Sequence, residues 1–360
     1  MKARGLRLQT VAALLIIVAS GLLSWSIVQS ANDKLALSAP DSLADCQGAA
    51  TKSYKCYATY YAKKAFYDGS KAAVEEMEAA YTTDDYIKAE CHQLTHVVGR
   101  TAYEKDGNLQ KAYESGDNFC WSGFYHGAIE QAISEQGADK VRDNAANICQ
   151  AFADKQMYSF DHFNCVHGLG HGLMAVAGYN LFDGLKYCDS TRTSWERESC
   201  YGGVFMENVM VASRGDGTTA YLDPSRPLYP CTDVDTLYKQ QCYLMQTSYI
   251  LQHNGYNFAD AFKWCAQADA DFVSTCYQSA GRDASGSTNS DIVRTVANCR
   301  ASVGITGDDD RAVRNCMLGA ERDFVSYYHD DAKAKQLCEA FGDEYVNQCK
   351  VDVASYYSTF

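Results

Sequence analysis

Cys165-Val-His-Gly-Leu-Gly-His-Gly-Leu-Met174 lies near the middle of a 360-residue chain. His167 and His171 stand four residues apart in an otherwise apolar run, a spacing that puts both rings on one face of a helix. Gly168, Gly170 and Gly172 weaken that helix by ~1 kcal/mol each relative to alanine. Close approach of a neighbouring backbone or a ligand is what would offset the loss. The stretch therefore reads as a helix pressed against its neighbours, with two imidazoles on one side.

Related segments lie on either side. His92 and His96 follow Cys91 in CHQLTH, His126 and Glu130 follow Cys120 in CWSGFYHGAIE, and Glu207 follows Cys200 in CYGGVFMEN. Five units run from a cysteine along an amphipathic helix to a glycine: Cys91 to Gly107, Cys120 to Gly137, Cys165 to Gly178, Cys200 to Gly215 and Cys242 to Gly255. Glycine just past a helix is the usual left-handed cap. Cys276, Cys316 and Cys349 start three less regular copies. Shorter helices ending at Cys149, Cys188, Cys265, Cys299 and Cys338 lie between the long ones, and Cys231 holds the same place after a different lead-in. From Cys165 onward the helix-opening cysteines recur every 33 to 42 residues, the period of stacked helical hairpins. Period-2 alternation is rare. The predicted fold is all-α: a disulfide-stapled array of helical hairpins, α-solenoid-like, after an N-terminal hydrophobic helix.

The spacing proposes six bridges, 149–165, 188–200, 231–242, 265–276, 299–316 and 338–349, each closing the loop of one hairpin. Cys46–Cys56 and Cys91–Cys120 are the pairings left over. Sixteen cysteines without a single C-x-x-C point to disulfides in an oxidising compartment rather than to zinc ribbons, thioredoxin-like sites or c-type haem. Lys2, Arg4 and Arg7 precede an uncharged apolar run from Val11 to Val28. Positive charge before such a run sends the rest of the chain across the membrane.

Residues 1–31 are thus expected to be a signal anchor or signal peptide, and 32–45 a polar linker. Residues 46–222 form the motif-bearing half of the array and 231–360 a motif-poor half. Asp223-Pro-Ser-Arg-Pro-Leu-Tyr-Pro230 holds three of the four prolines and reads as an extended connector between the halves.

A net charge of −13 with no long basic run repels phosphate backbones and argues against nucleic-acid binding. H-E-x-x-H, G-x-S-x-G and the P-loop are all absent, which removes the signatures of zinc proteases, serine hydrolases and NTPases. Asp308-Asp309-Asp310 lacks the alternation of a calcium loop and reads as a helix cap.

Six of the eight histidines lie between His92 and His171. Imidazoles and carboxylates converging from adjacent helices make a metal site in helical bundles. His92, His96, His126, His167 and His171 are therefore the expected ligands, with Glu130 and Glu207 as further ligands or as a general base acting on bound water. Zinc, copper and iron all accept this donor set. His162, His253 and His329 lack paired partners and read as surface or locally hydrogen-bonded residues. The competing reading is a metal-free module at the cell surface. Its concave face, with many of the 26 tyrosines, would bind a peptide or protein. In both readings the membrane is a partner through the N-terminal segment.

Overall fold

A computed structural model describes residues 39–153, 159–213, 219–328 and 330–358. The anchor or signal segment 1–31, most of the linker, Gly215 and His329 lie outside the described residues. Those described contain seventeen α-helices, one short 3-10 turn and no strand. The helices are α1 (Leu43–Gln47), α2 (Tyr54–Tyr67), α3 (Ser70–Tyr81), α4 (Asp85–Asp106), α5 (Leu109–Glu114), α6 (Phe119–Gln136), α7 (Ala138–Ile148), α8 (Phe160–Val176) and α9 (Leu181–Cys188). They continue as α10 (Ser194–Ser213), α11 (Thr236–His253), α12 (Phe258–Cys265), α13 (Val273–Gly286), α14 (Ile292–Arg300), α15 (Asp309–Tyr328), α16 (Ala332–Phe341) and α17 (Asp343–Tyr357). None of them is long and apolar enough to cross a membrane.

The long helices α4, α6, α8, α10, α11, α13 and α15 pack in chain order, each against the next, while the short helices sit beside them. Eight disulfides staple this arrangement: the six that close hairpin loops, Cys46–Cys56, and Cys91–Cys120 between α4 and α6. No described cysteine is free. Closing a loop of this size stabilises by roughly 2–4 kcal/mol in the chain-entropy account.

Cys120 opens α6 and Cys276 lies in the first turn of α13, but the other cysteines do not open their long helices, contrary to the repeat read from the sequence. Asp84, Ser159 and Asp235 set those starts, each side chain accepting from a first-turn backbone N–H. The caps satisfy donors the helix cannot, and the cysteine falls a turn or more inside. Gly107 and Gly178 take φ +61°, and Gly255 takes φ +68°. Tyr179 and Tyr256 follow the last two in the same left-handed region, and Asn180 and Asn257 then cap α9 and α12.

Glycines also set how closely the long helices meet. A Cβ on Gly127 of α6 would lie 2.0 Å from the His96 carbonyl oxygen of α4, and one on Gly203 of α10 would lie 1.9 Å from that of His167 on α8. Gly319 of α15 meets the Gln278 carbonyl of α13 at 1.9 Å in the same way. The glycines of the quoted stretch do this on two sides. A Cβ on Gly168 would meet Ile129 at 2.2 Å and one on Gly172 would meet Ile133 at 2.4 Å, whereas one on Gly170 would meet the Cys200 carbonyl at 2.1 Å.

The array curves until its two halves meet. Asn118 at the start of α6 donates to the Ser326 and Tyr327 carbonyls of α15 at 2.9 and 2.7 Å, and the Tyr81 hydroxyl reaches the Gly286 carbonyl at 3.3 Å. Between the halves lies a cavity of about 160 Å³, with Trp121, His126 and His167 on one wall and Met245, Arg282 and Asp323 on another.

Glu321 of α15 is fully buried, with Oε2 2.9 Å from Cys349 Sγ of the last disulfide. Burial pushes its carboxyl up to about 9 from an ordinary 4.5. The folded state therefore holds a proton that the unfolded state loses near its ordinary value, so this contribution is full below that value and is lost as pH rises toward 9. The melting temperature should fall between pH 5 and pH 9, and Glu321→Gln should flatten that fall. Equal slopes in wild type and variant would contradict the assignment.

Candidate metal centre

Four adjacent helices supply the site. His92 and His96 project from α4, His126 and Glu130 from α6, His167 and His171 from α8, and Glu207 from α10. All five imidazoles and Glu207 are buried, and Glu130 is half-buried. The backbone-to-backbone contacts at Gly127, Gly170 and Gly203 bring these helices close enough for their side chains to converge.

Four rings form one cluster. His92, His96, His126 and His171 have pairwise ring-centre distances between 4.6 and 6.0 Å. Single nitrogens of His92, His126 and His171 all lie within 4.8 Å of one another, and His96, Glu130 and His171 form a second such group. His167 stands to one side, its ring 4.9 Å from His126 and its Nε2 3.3 Å from Met206 Sδ.

The hydrogen bonds settle which nitrogens are available. His92 Nδ1 lies 2.8 Å from the Cys120 carbonyl oxygen, which can only accept, so Nδ1 carries the proton and Nε2 the lone pair. His171 Nδ1 lies 2.9 Å from Glu207 Oε2, and His171 Nε2 has no partner. Neither nitrogen of His126 has a partner, although the residue is 2% exposed. Buried polar atoms are nearly always satisfied, so these orphans need an explanation.

A proton count sharpens the point. Glu130 Oε2 to His96 Nδ1 (3.1 Å), His96 Nε2 to His92 Nε2 (3.0 Å) and His92 Nδ1 to the Cys120 carbonyl form three contacts in line. Each contact needs a proton, but two neutral imidazoles carry only two between them. Burial drives both rings toward the neutral form, against the pull of Glu130 on His96. Burial would raise Glu130, but a protonated His96 and Arg100 outweigh it and hold the carboxyl well below the usual range. Filling all three contacts thus takes one positive charge beyond two neutral rings, either a proton on His96 or a metal cation. With His96 donating to the carboxylate, two Nε2 lone pairs face each other at 3.0 Å, close to the spacing of about 3.3 Å for two nitrogens on one tetrahedral ion with bonds of 2.0–2.1 Å. A cation touching both removes the conflict.

Glu130 and Glu207 therefore sit where carboxylates orient metal-ligating imidazoles, on the Nδ1 side of His96 and His171. The cluster occupies a wall between two cavities. His126 and His167 line the central one, and Glu130, His171 and Glu207 line another of about 390 Å³ on the opposite side. A third group, Glu321 with Cys338 and Cys349, offers no thiolate because the two sulfurs are bonded to each other.

Several neighbours were not legible as site residues. The Cys120 carbonyl reaches His92 because Cys120, Trp121 and Ser122 all adopt left-handed backbone with φ between 54° and 60°. Nothing in CWS announces that turn. Met206 carried a signal, since it lies six residues after its cysteine as His126 and His171 do. His162 is buried rather than at the surface, with Nε2 3.2 Å from Glu196 Oε1. His253 bonds locally to the Tyr249 carbonyl at 3.0 Å.

No protein-family model matches this chain, and no curated protein or solved structure matches it either.

If glycine contact positions the rings, Gly127→Ala should cost about 1–3 kcal/mol of stability through overpacking and should weaken divalent-metal binding at temperatures where the variant is still folded. Unchanged binding in the folded variant would separate the helix contact from the site.

Proposed function

We propose that this chain is an extracytoplasmic metalloprotein whose centre is a divalent transition ion held by His92, His96, His126 and His171. The observation that carries the reading is the convergence of buried imidazole nitrogens, those of His126 and His171 Nε2 without a partner, within 4.8 Å of one another. Glu130 and Glu207 orient two of the ligands and balance the ion's charge from outside the coordination shell. Zinc, copper and iron all suit such a donor set. The cavity that His126 lines gives a small molecule a route to the ion. Eight disulfides agree with an oxidising compartment outside the cytoplasm, and the apolar run from Val11 to Val28 is the proposed tether to the membrane.

The test is metal analysis of protein exported through an oxidising pathway and purified without a histidine tag. About one equivalent of zinc, copper or iron is expected, lost in a His126→Ala/His171→Ala variant that keeps its disulfides and helicity. A fully oxidised, folded wild type that takes up no metal after supplementation would overturn the reading and favour the metal-free binding module. Glu207→Gln keeps the shape but removes the charge behind His171. Its metal affinity should fall by about 10–100-fold, read by competition with a chromophoric chelator.

A further inference from the structure

His167 is the one imidazole of the five outside the groups whose donor atoms lie within 4.8 Å of one another, although its ring is 4.9 Å from His126 and 5.4 Å from His171. Its Nε2 faces Met206 Sδ at 3.3 Å. The geometry is built by backbone. A Cβ on Gly203 would strike the His167 carbonyl at 1.9 Å, and one on Gly202 would sit 3.3 Å from the His167 ring, so only this glycine pair lets α10 carry Met206 onto the imidazole.

Met206 does not stand alone. Met206 and Met245 line the central cavity together with His167 and the unpartnered His126. On their other side, Met206, Met210 and Met245 line a second cavity of about 60 Å³ together with Trp121. Met206 and Met245 thus share a cavity with His167, and Met210 joins them on the second cavity, which His92 also lines. Among the described residues no carboxylate hydrogen-bonds His167 or Met206, and the Arg282 guanidinium, itself paired with Asp283 at 2.8 Å, donates to Met245 Sδ at 2.8 Å. Thioether and imidazole are neutral soft donors and suit monovalent copper. The four-imidazole cluster, with two carboxylates behind it, has the opposite preference.

We infer that the chain carries a second, soft-metal site at His167 and Met206, with Met245 beside them, that takes copper(I). This site is distinct from the four-imidazole centre and does not depend on it.

The test loads the full-length protein with zinc, removes the excess, and titrates copper(I) anaerobically against a chromophoric copper(I) chelator. One equivalent of copper(I) should bind without displacing zinc, and Met206→Leu should weaken it at least tenfold with zinc content unchanged. X-ray absorption at the copper edge gives a readout that needs no variant. Every described cysteine is in a disulfide, so a copper–sulfur shell in wild type reports thioether ligation. Copper that displaces zinc one for one, or shows only nitrogen neighbours, would place it in the histidine cluster and overturn the inference. Equal copper(I) affinity in wild type and Met206→Leu would also overturn it and leave the methionines as packing. Copper(I) bound with a sulfur shell in a protein that takes up no zinc, copper(II) or iron would sink the four-imidazole reading while leaving this one standing.

Discussion

Backbone touching backbone is the constraint on which the site depends. Where α6 crosses α4, Gly127 lies against the His96 carbonyl, and where α10 crosses α8, Gly203 lies against that of His167. Any side chain at these points would push the helices apart, because main-chain atoms cannot step aside as a flexible side chain can. Imidazole is a short ligand. Rings from α4, α6 and α8 share one small volume only because the helix axes are already close. The glycines in the quoted stretch thus serve packing, and the convergence of donors follows from the packing.

The disulfides work at a different level. Five of them hold a short helix against the helix that follows, Cys231–Cys242 does the same for the turn after the proline segment, and all six lie buried at the edge of the core they fix. Burial does the rest. Large side chains such as Phe124, Phe205, Phe262 and Phe324 are fully or almost fully buried in one hydrophobic core that runs the length of the array. Such a core lets the array carry polar residues inside it, provided each is paired. Asp283, for example, accepts from Thr247, Ser248 and Arg282 at 2.6 to 2.9 Å. The histidine cluster is one place where protein atoms alone do not meet that rule, with both nitrogens of His126 and Nε2 of His171 unpartnered.

The helical-hairpin plan was legible because it is written in local spacing. Cysteine intervals gave the loops that disulfides close, glycine gave helix ends such as Gly107 and Gly178, and i, i+4 histidines gave the faces that converge. Helix starts were less legible, since Asp84, Ser159 and Asp235 cap the long helices well before the cysteines that seemed to open them. The meeting of the two halves had no sequence signal. Asn118 and Ser326 are 208 residues apart, and no periodicity records a contact made once, through a carbonyl. Glu130 and Glu207 were legible as members of the site but not in their placement. Sequence spacing says that a carboxylate is near an imidazole, but only geometry says which ring nitrogen it faces.

The Cys91–Cys120 bridge joins the helix that carries His92 and His96 to the left-handed turn whose carbonyl fixes the tautomer of His92. The Nε2 lone pair of His92 is thereby tied to a covalent bond that a reducing cytosol does not permit. Under the proposed function, chain maturation acquires an order from this. Thiol oxidation would come first, and the metal-receptive form of the cluster would exist only afterwards. The proposed ion would then be drawn from whatever metals the oxidising compartment offers.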